Sequence, residues 1–119
     1  YAQHVIGRVR FATSGSVDDG LASLPLATTG YYVCGPFAES DREKLYNTVF
    51  GPELSVAIDR AHKFGSKSWE YRQNLQRGQT NLLNNGKNAT YVAQRLWAPN
   101  AREVEVALGS DDGFQLFLR

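Results

Sequence analysis

Two Asp-Asp-Gly tripeptides stand in the chain, Asp18 to Gly20 and Asp111 to Gly113. Adjacent carboxylates can do chemistry. At the end of a β-sandwich, Asp111 and Asp112 can contribute oxygens to a Ca²⁺ ion or accept hydrogen bonds from sugar hydroxyls. Calcium takes about six to eight oxygens, so such a turn needs further ligands from other loops. As a glycosidase pair the two fail, because that chemistry sets two carboxyls about 5 to 9 Å apart across the sugar, on separate elements. The first copy lies in a connector, and the recurrence favours turn chemistry. Asp tolerates the bend and bonds nearby backbone, while Gly supplies a positive φ. A type I turn ending in a left-handed glycine, with a bulge, accounts for every residue of the second copy.

The remaining reactive residues are sparse. His4 and His62 are far apart in sequence and form no His-x-x-x-His pair, so no metal site is expected. No serine sits in a G-x-S-x-G elbow. Cys34 is the single cysteine, without a C-x-x-C partner, and its place in Tyr31-Tyr32-Val33-Cys34 reads as a small buried residue. Trp69 and Trp97 have faces that stack on sugar rings, though tryptophan in a small sandwich more often belongs to the core or its rim. Asn88-Ala89-Thr90 fits the glycosylation acceptor pattern, which carries meaning only in a eukaryotic secretory context. No catalytic residue follows from these patterns, and the expectation is a non-enzyme.

Composition narrows the classes further. The net charge is +1 and the thirteen basic residues are scattered, which argues against a nucleic-acid partner. Nothing approaches the run of about twenty apolar residues that a membrane span needs. Within the chain no basic start leads into an apolar stretch of the signal-peptide kind. A length of 119 residues supports one domain with a single core.

The elements that would carry these residues read mostly as strands. Gln3 to Thr13 alternates, with Val5, Val9 and Phe11 on one parity and Gly7 marking a bulge. Beginning at Tyr1, the chain enters that strand without a turn or cap, as the tail of a preceding unit would. Ser14 to Gly30 is a connector. "YYVCGPF" is a short strand expected to stop at Gly35-Pro36. "ESDREKLYNTVFGPE" carries a helix signal: Ser40 as cap, Glu43 completing a capping box, and Leu45, Tyr46, Val49 and Phe50 as the apolar stripe. Gly51-Pro52 is expected to end it.

Further along, Glu53 to Gly65 is ambiguous, with Leu54, Val56 and Ile58 favouring a strand in its first half. "KSWEYRQNLQ" reads as a strand with Trp69 and Tyr71 on one face. Asn85-Gly86 is a turn pair. "ATYVAQRLWA" reads as one strand, and Pro99-Asn100 as the next turn. Val104, Val106 and Leu108 point inward from "REVEVALGS", with Glu103 and Glu105 outward. Phe114, Leu116 and Leu118 resume the inward parity. Short alternating strands separated by turns every eight to twelve residues or so predict an antiparallel β-sandwich with one short helix.

Taken in order, "YYVCGPF", "FGPE", Trp69, "ATYVAQRLWAP" and "LGSDDGFQLFL" resemble a galactose-binding-like jelly-roll module. That module recurs in large secreted proteins of planctomycetes that also carry cytochrome-c-type domains. "HVIGRVRFATSG" is similar to the strand that closes the preceding segment in those proteins. The resemblance implies a mainly β jelly-roll-like sandwich, divided as a trailing strand over 1–14, a linker over 15–29 and a module over 30–119. It implies a non-catalytic accessory role, binding glycans or packing against neighbouring domains of a multidomain bacterial protein that is secreted or periplasmic. Asp111, Asp112 and Trp97 are then the candidate ligand-binding residues, with Trp69 as a second stacking surface and Ca²⁺ as the one cofactor to consider.

Where the family runs on to Trp-Leu-Asn-Gly, this chain has Phe117-Leu118-Arg119, which implies a module truncated before its closing hairpin. Two other likenesses are local. "RLWAPNAREVEVAL" is similar to the starch-binding modules that precede amylase-type barrels. The Ser-Asp-Asp-Gly turn resembles one in the sugar-binding domain of anthrax protective antigen, which holds calcium through aspartates. Either would make the chain a fragment of a polysaccharide-degrading enzyme, and a purely structural spacer is the third alternative.

Overall fold

The structure is a computed structural model that describes residues 5–12, 24–55, 57–84, 86–110 and 113–118. His4, the first Asp-Asp-Gly copy, most of the connector, Asn85 and both Asp111 and Asp112 lie outside the described residues. The chain is mainly β, with strands in antiparallel sheets and one short α-helix. Among the described residues no helix is long and apolar enough to cross a membrane. The fold divides into two compact units, one holding the first strand and the region from Leu96 to Leu118, the other spanning Thr29 to Arg95.

In the first unit, β1 (Val5–Ala12) pairs antiparallel with β7 (Glu103–Ser110) through eight positions, from Val5 opposite Ser110 to Ala12 opposite Glu103. The strand that the sequence assigns to a preceding unit is thus hydrogen-bonded to a strand near the other end of the chain. Along β7, Val104, Val106 and Leu108 are half-buried while Glu103, Glu105 and Ala107 are exposed, the two-residue period expected. A second ribbon joins β2 (Ala27–Thr28) to β6 (Leu96–Trp97), with Ala27 opposite Trp97. The bend expected at Pro99-Asn100 is present. Asn100 is buried, and its Oδ1 accepts from the Arg102 guanidinium, both from Nε at 2.9 Å and from Nη2. Arg102 Nη1 also donates to the Leu24 carbonyl at 2.7 Å, tying this bend to the segment leading into β2.

The second unit is built on a three-stranded antiparallel sheet in the order β4-β3-β5, formed by Glu70–Arg72, Tyr31–Ala38 and Asn88–Ala93. Val33 and Cys34, in the middle of β3, are its fully buried side chains. β3 does not stop at Gly35-Pro36 as expected but runs on to Ala38, with the register shifting between Cys34 and Phe37. Two properties make this shift local. Gly35 adopts φ +140, and proline has no N–H to offer the ladder, so the strand bulges there and resumes pairing with β5. A Cβ on Gly35 would also stand 3.1 Å from the Ala89 carbonyl oxygen.

Phe37, just past the bulge, stacks on Phe50 at 4.9 Å and meets the edge of Tyr91 at 5.7 Å. This aromatic trio holds the loop after the helix onto the sheet. The helix itself, α1 (Arg42–Asn47), buries no residue. Its expected stripe is displaced: Leu45 is half-buried, Tyr46 and Val49 are exposed, and Phe50 makes the anchoring contact from beyond the helix end. The cap also differs by one residue. Asp41, in an extended conformation, accepts from the Glu43 amide at 2.9 Å, so Asp41 takes the place expected of Ser40.

Three further strand expectations are corrected. Residues 53–58 form no strand among those described, because Pro52 opens a 3-10 turn (Pro52–Leu54) and Leu54 is left exposed. Residues 89–98 are not one strand but two, broken at Gln94-Arg95. Thr29 exchanges bonds with Arg95 there and accepts from Gln94 Nε2 at 2.7 Å, which ends β5 before β6 begins. Residues 113–118 take no strand conformation, and Leu116 and Leu118 are exposed. On the Trp69 segment the shared face is also lost: Trp69 is buried, while Tyr71 is exposed and edge-on to Tyr32 at 5.3 Å.

The cap assignment is open to a direct check. Asp41→Ala should lower the urea-unfolding free energy by about 1 kcal/mol. Ser40→Ala should change it by no more than roughly 0.5 kcal/mol, as for an ordinary surface position. The reverse order would restore Ser40 as the cap.

Candidate functional site

Of the three ligand-binding residues expected from sequence, Trp97 is described, and Asp111 and Asp112 lie outside the described residues. Trp97 is 63 % exposed on the short β6. One strand of that ribbon is followed by the bend that Asn100 and Arg102 fasten, so the indole sits on backbone held at both ends. Leu24 and Leu96 in the same unit are also exposed. An indole presented this way has a flat apolar face and one N–H donor, the combination that stacks on the C–H face of a sugar ring.

A second place, missed by the sequence reading, lies in the other unit. Residues between Gly51 and Trp69 wrap around a recess of about 300 Å³ lined by Leu54, Ser55, Asp59, His62, Phe64 and Trp69, with Ala57 completing the wall. Each wall is fixed by local hydrogen bonds. Glu53 is the anchor: Oε2 accepts from the Gly51 amide at 2.8 Å, and Oε1 accepts from the Tyr91 hydroxyl at 2.9 Å, joining the 3-10 turn to β5. Asp59 Oδ1 accepts from the Ala61 amide at 3.0 Å, and the His62 amide donates to the Asp59 carbonyl, closing the next turn. Phe64 and Lys67 exchange both backbone bonds, at 2.7 and 3.1 Å, which returns the chain to Trp69.

Gly51 makes room for the aromatic wall. Its φ is +124, and a Cβ there would stand 2.6 Å from Phe64 Cδ1, so only glycine lets the Phe64 ring sit where it does. The His62 imidazole meets the Phe64 ring edge at 4.6 Å. Trp69 is 5 % exposed, and its buried indole N–H has no acceptor among the described residues.

The signal for this recess was present in the sequence but was absorbed by the strand-or-helix question over Glu53 to Gly65. Asp59 two residues before Ala61, and Gly65-Ser66 between Phe64 and Lys67, are turn chemistry. Periodicity drew attention away from both.

Two titratable groups lie under this region. The Tyr91 hydroxyl is held well above its ordinary pKa, first by burial, then by its hydrogen bond to Glu53 and by that carboxylate's charge. Cys34 is buried, and its thiol is pushed up by burial and by the Glu70 charge, with Lys67 acting the other way. A thiol so placed stays protonated and unreactive at neutral pH, in keeping with a packing role. Among the described residues no three His, Cys, Asp or Glu side chains converge to hold a metal ion.

Asn88, of the glycosylation-type triplet, opens β5 half-buried, with its amide donating to the Gly86 carbonyl and its Oδ1 accepting from Thr90. The triplet is thus engaged in closing the turn before β5.

No family model, curated protein or solved structure matches the chain.

Tyr91→Phe removes the phenol donor to Glu53 and should cost about 1–2 kcal/mol at neutral pH, measured by urea unfolding. The pH dependence has a definite sign. Folding favours the protonated phenol, so this stabilisation is complete below the unfolded tyrosine pKa of about 10 and is lost as pH rises through the higher folded value. The stability gap between wild type and Tyr91→Phe should therefore narrow above pH ~10. A gap that widens there would contradict the bond.

Proposed function

We propose that this chain is a non-catalytic accessory module that binds carbohydrate weakly, within a larger exported bacterial protein. The observation that carries the reading is the exposed Trp97 indole on a braced two-stranded ribbon. A stacking platform needs a large flat side chain that is held still and faces water, and Trp97, 63 % exposed on a paired strand, offers one. The ordered resemblance of "YYVCGPF", "FGPE", "ATYVAQRLWAP" and "LGSDDGFQLFL" to the galactose-binding-like modules of planctomycete secreted proteins supports the same class. Packing against neighbouring domains of the parent chain is part of this role. Asp111 and Asp112 are the polar partners proposed for the sugar hydroxyls, with or without Ca²⁺.

The reading as binding rather than turnover follows the resemblance, which implies an accessory module. Cys34 is protonated and buried, and Asp59 and His62 are the two acid–base groups that share a recess.

A glycan array probed with and without calcium tests the proposal. Binding in the millimolar range is expected, as suits a single stacked ring. Trp97→Ala should weaken it by roughly tenfold, the order of one aromatic contact. Asp111→Ala combined with Asp112→Ala should weaken it further while the protein remains folded. No retained glycan would overturn the binding role, and hydrolysis of a chromogenic glycoside by the chain would overturn the non-catalytic one.

A further inference from the structure

The recess over Trp69 and Phe64 is separate from the Trp97 ribbon, belongs to the other unit, and has the composition of a binding site in its own right. We propose that it takes a neutral sugar ring, so that this module carries two carbohydrate sites. The inference rests on the carbohydrate-binding reading above for its ligand class, but on different residues.

The chemistry of the walls selects the ligand. Asp59 uses Oδ1 on the Ala61 amide, and its other carboxylate oxygen has no partner among the described residues. The His62 ring is in edge contact with Phe64, and its two nitrogens have no hydrogen-bond partner among the described residues. Ser55 adds a hydroxyl, and the Trp69 indole forms part of the lining. Acceptor and mixed donor–acceptor groups therefore share one small space with two aromatic rings. A hydroxyl both donates and accepts, so neighbouring ring hydroxyls can satisfy Asp59, His62 and Ser55 together. The C–H face of the same ring suits Phe64 and the Trp69 indole.

Competing ligands fit less well. A carboxylate or phosphate would meet the Asp59 charge, and an ammonium could donate to Asp59, His62 and Ser55 but would offer no acceptor and no C–H ring face. A metal ion would find two good ligands, short of the four that a closed site requires. The volume of about 300 Å³ lies at the small end of ligand pockets, which suits one ring rather than a chain.

The walls are also set before any ligand arrives. Glu53, Asp59 and the Phe64–Lys67 pair each fix a turn through backbone bonds, so binding orders little that is not already ordered.

The two tryptophans allow a clean experiment on the whole chain. In a ¹H–¹⁵N correlation spectrum, each indole N–H gives one signal, assigned by Trp69→Phe and Trp97→Phe. The protein is titrated with neutral monosaccharides (galactose, glucose, mannose, xylose) to saturation of any shift. A saturable movement of the Trp69 signal is expected with at least one of them. Asp59→Asn, which keeps the acceptor for the Ala61 amide, should weaken that sugar by about tenfold, and His62→Ala by a similar factor. Backbone dispersion in the same spectra shows that both variants remain folded.

The outcomes separate the two sites. Movement of Trp97 without Trp69 overturns the second site and leaves the first. Movement of Trp69 that is lost in both variants establishes the second site, whatever Trp97 does. A Trp69 shift that persists unchanged in Asp59→Asn and His62→Ala overturns the recess as its origin. Stillness of both signals with every sugar overturns both proposals.

Discussion

The second unit depends on a single constraint: the side chains of Val33 and Cys34 leave water, so the buried backbone of β3 takes its hydrogen bonds from neighbouring strands, on both sides at Val33 and from β5 at Cys34. β4 pairs from Tyr31 to Val33, and β5 pairs from Tyr32 to Ala38 across the bulge. Proline at the bulge has no donor to leave unmet, and glycine gives the chain the φ it needs beside Ala89. Past the bulge, Phe37 is turned toward Phe50 and Tyr91. That contact brings the 51–54 turn within reach of the Tyr91 hydroxyl, where Glu53 closes the bridge. The recess is the far side of the same turn. Its position thus descends from the pairing of two buried strand residues.

Sequence alone recovered the parts of this fold that obey a strict period. β7 alternates as Val104, Val106 and Leu108 require, and the alternation of Val5 to Phe11 marks β1 as a strand, though not its pairing with β7. The reading failed where short polar side chains, rather than periodicity, decide the path. Thr29 ends β5 by bonding to Gln94 and Arg95 from a segment distant in sequence, and nothing in "ATYVAQRLWA" announces that partner. Asp41 wins the cap over Ser40 because the chain enters the helix one residue later, a choice that two adjacent capping residues leave open. Leu54, Val56 and Ile58 alternate in sequence, but Pro52 sets a 3-10 turn and no strand forms among the described residues of this stretch.

The functional residues divide along the same line. Trp97 was a candidate in the sequence as one of two tryptophans, and its exposure places it outside the core. Trp69 was legible as a residue but not in its setting, since its neighbours come from three successive turns. Asp59 and His62 share a recess with Trp69 through short turns closed by local bonds, and such turns leave a faint trace in the sequence. Asp before a small residue and Gly-Ser between Phe64 and Lys67 are that trace.

Few large side chains among those described are fully buried, and many aromatic ones lie half-exposed, so local turns supply much of the rigidity here. In a chain of this size a limited core is the physical expectation. The consequence bears on binding. Walls built from Asx turns and a carboxylate bridge are stiff over a few residues while remaining open to water, which a large apolar core would not be. Polar groups that have already spent one bond on the backbone, as Asp59 has, keep a second valence at a fixed angle. Weak ligands that offer hydroxyls rather than charge are recognised by such fixed, incompletely satisfied groups beside a flat ring. A small polar ring, rather than a large apolar one, is therefore the ligand proposed for the recess.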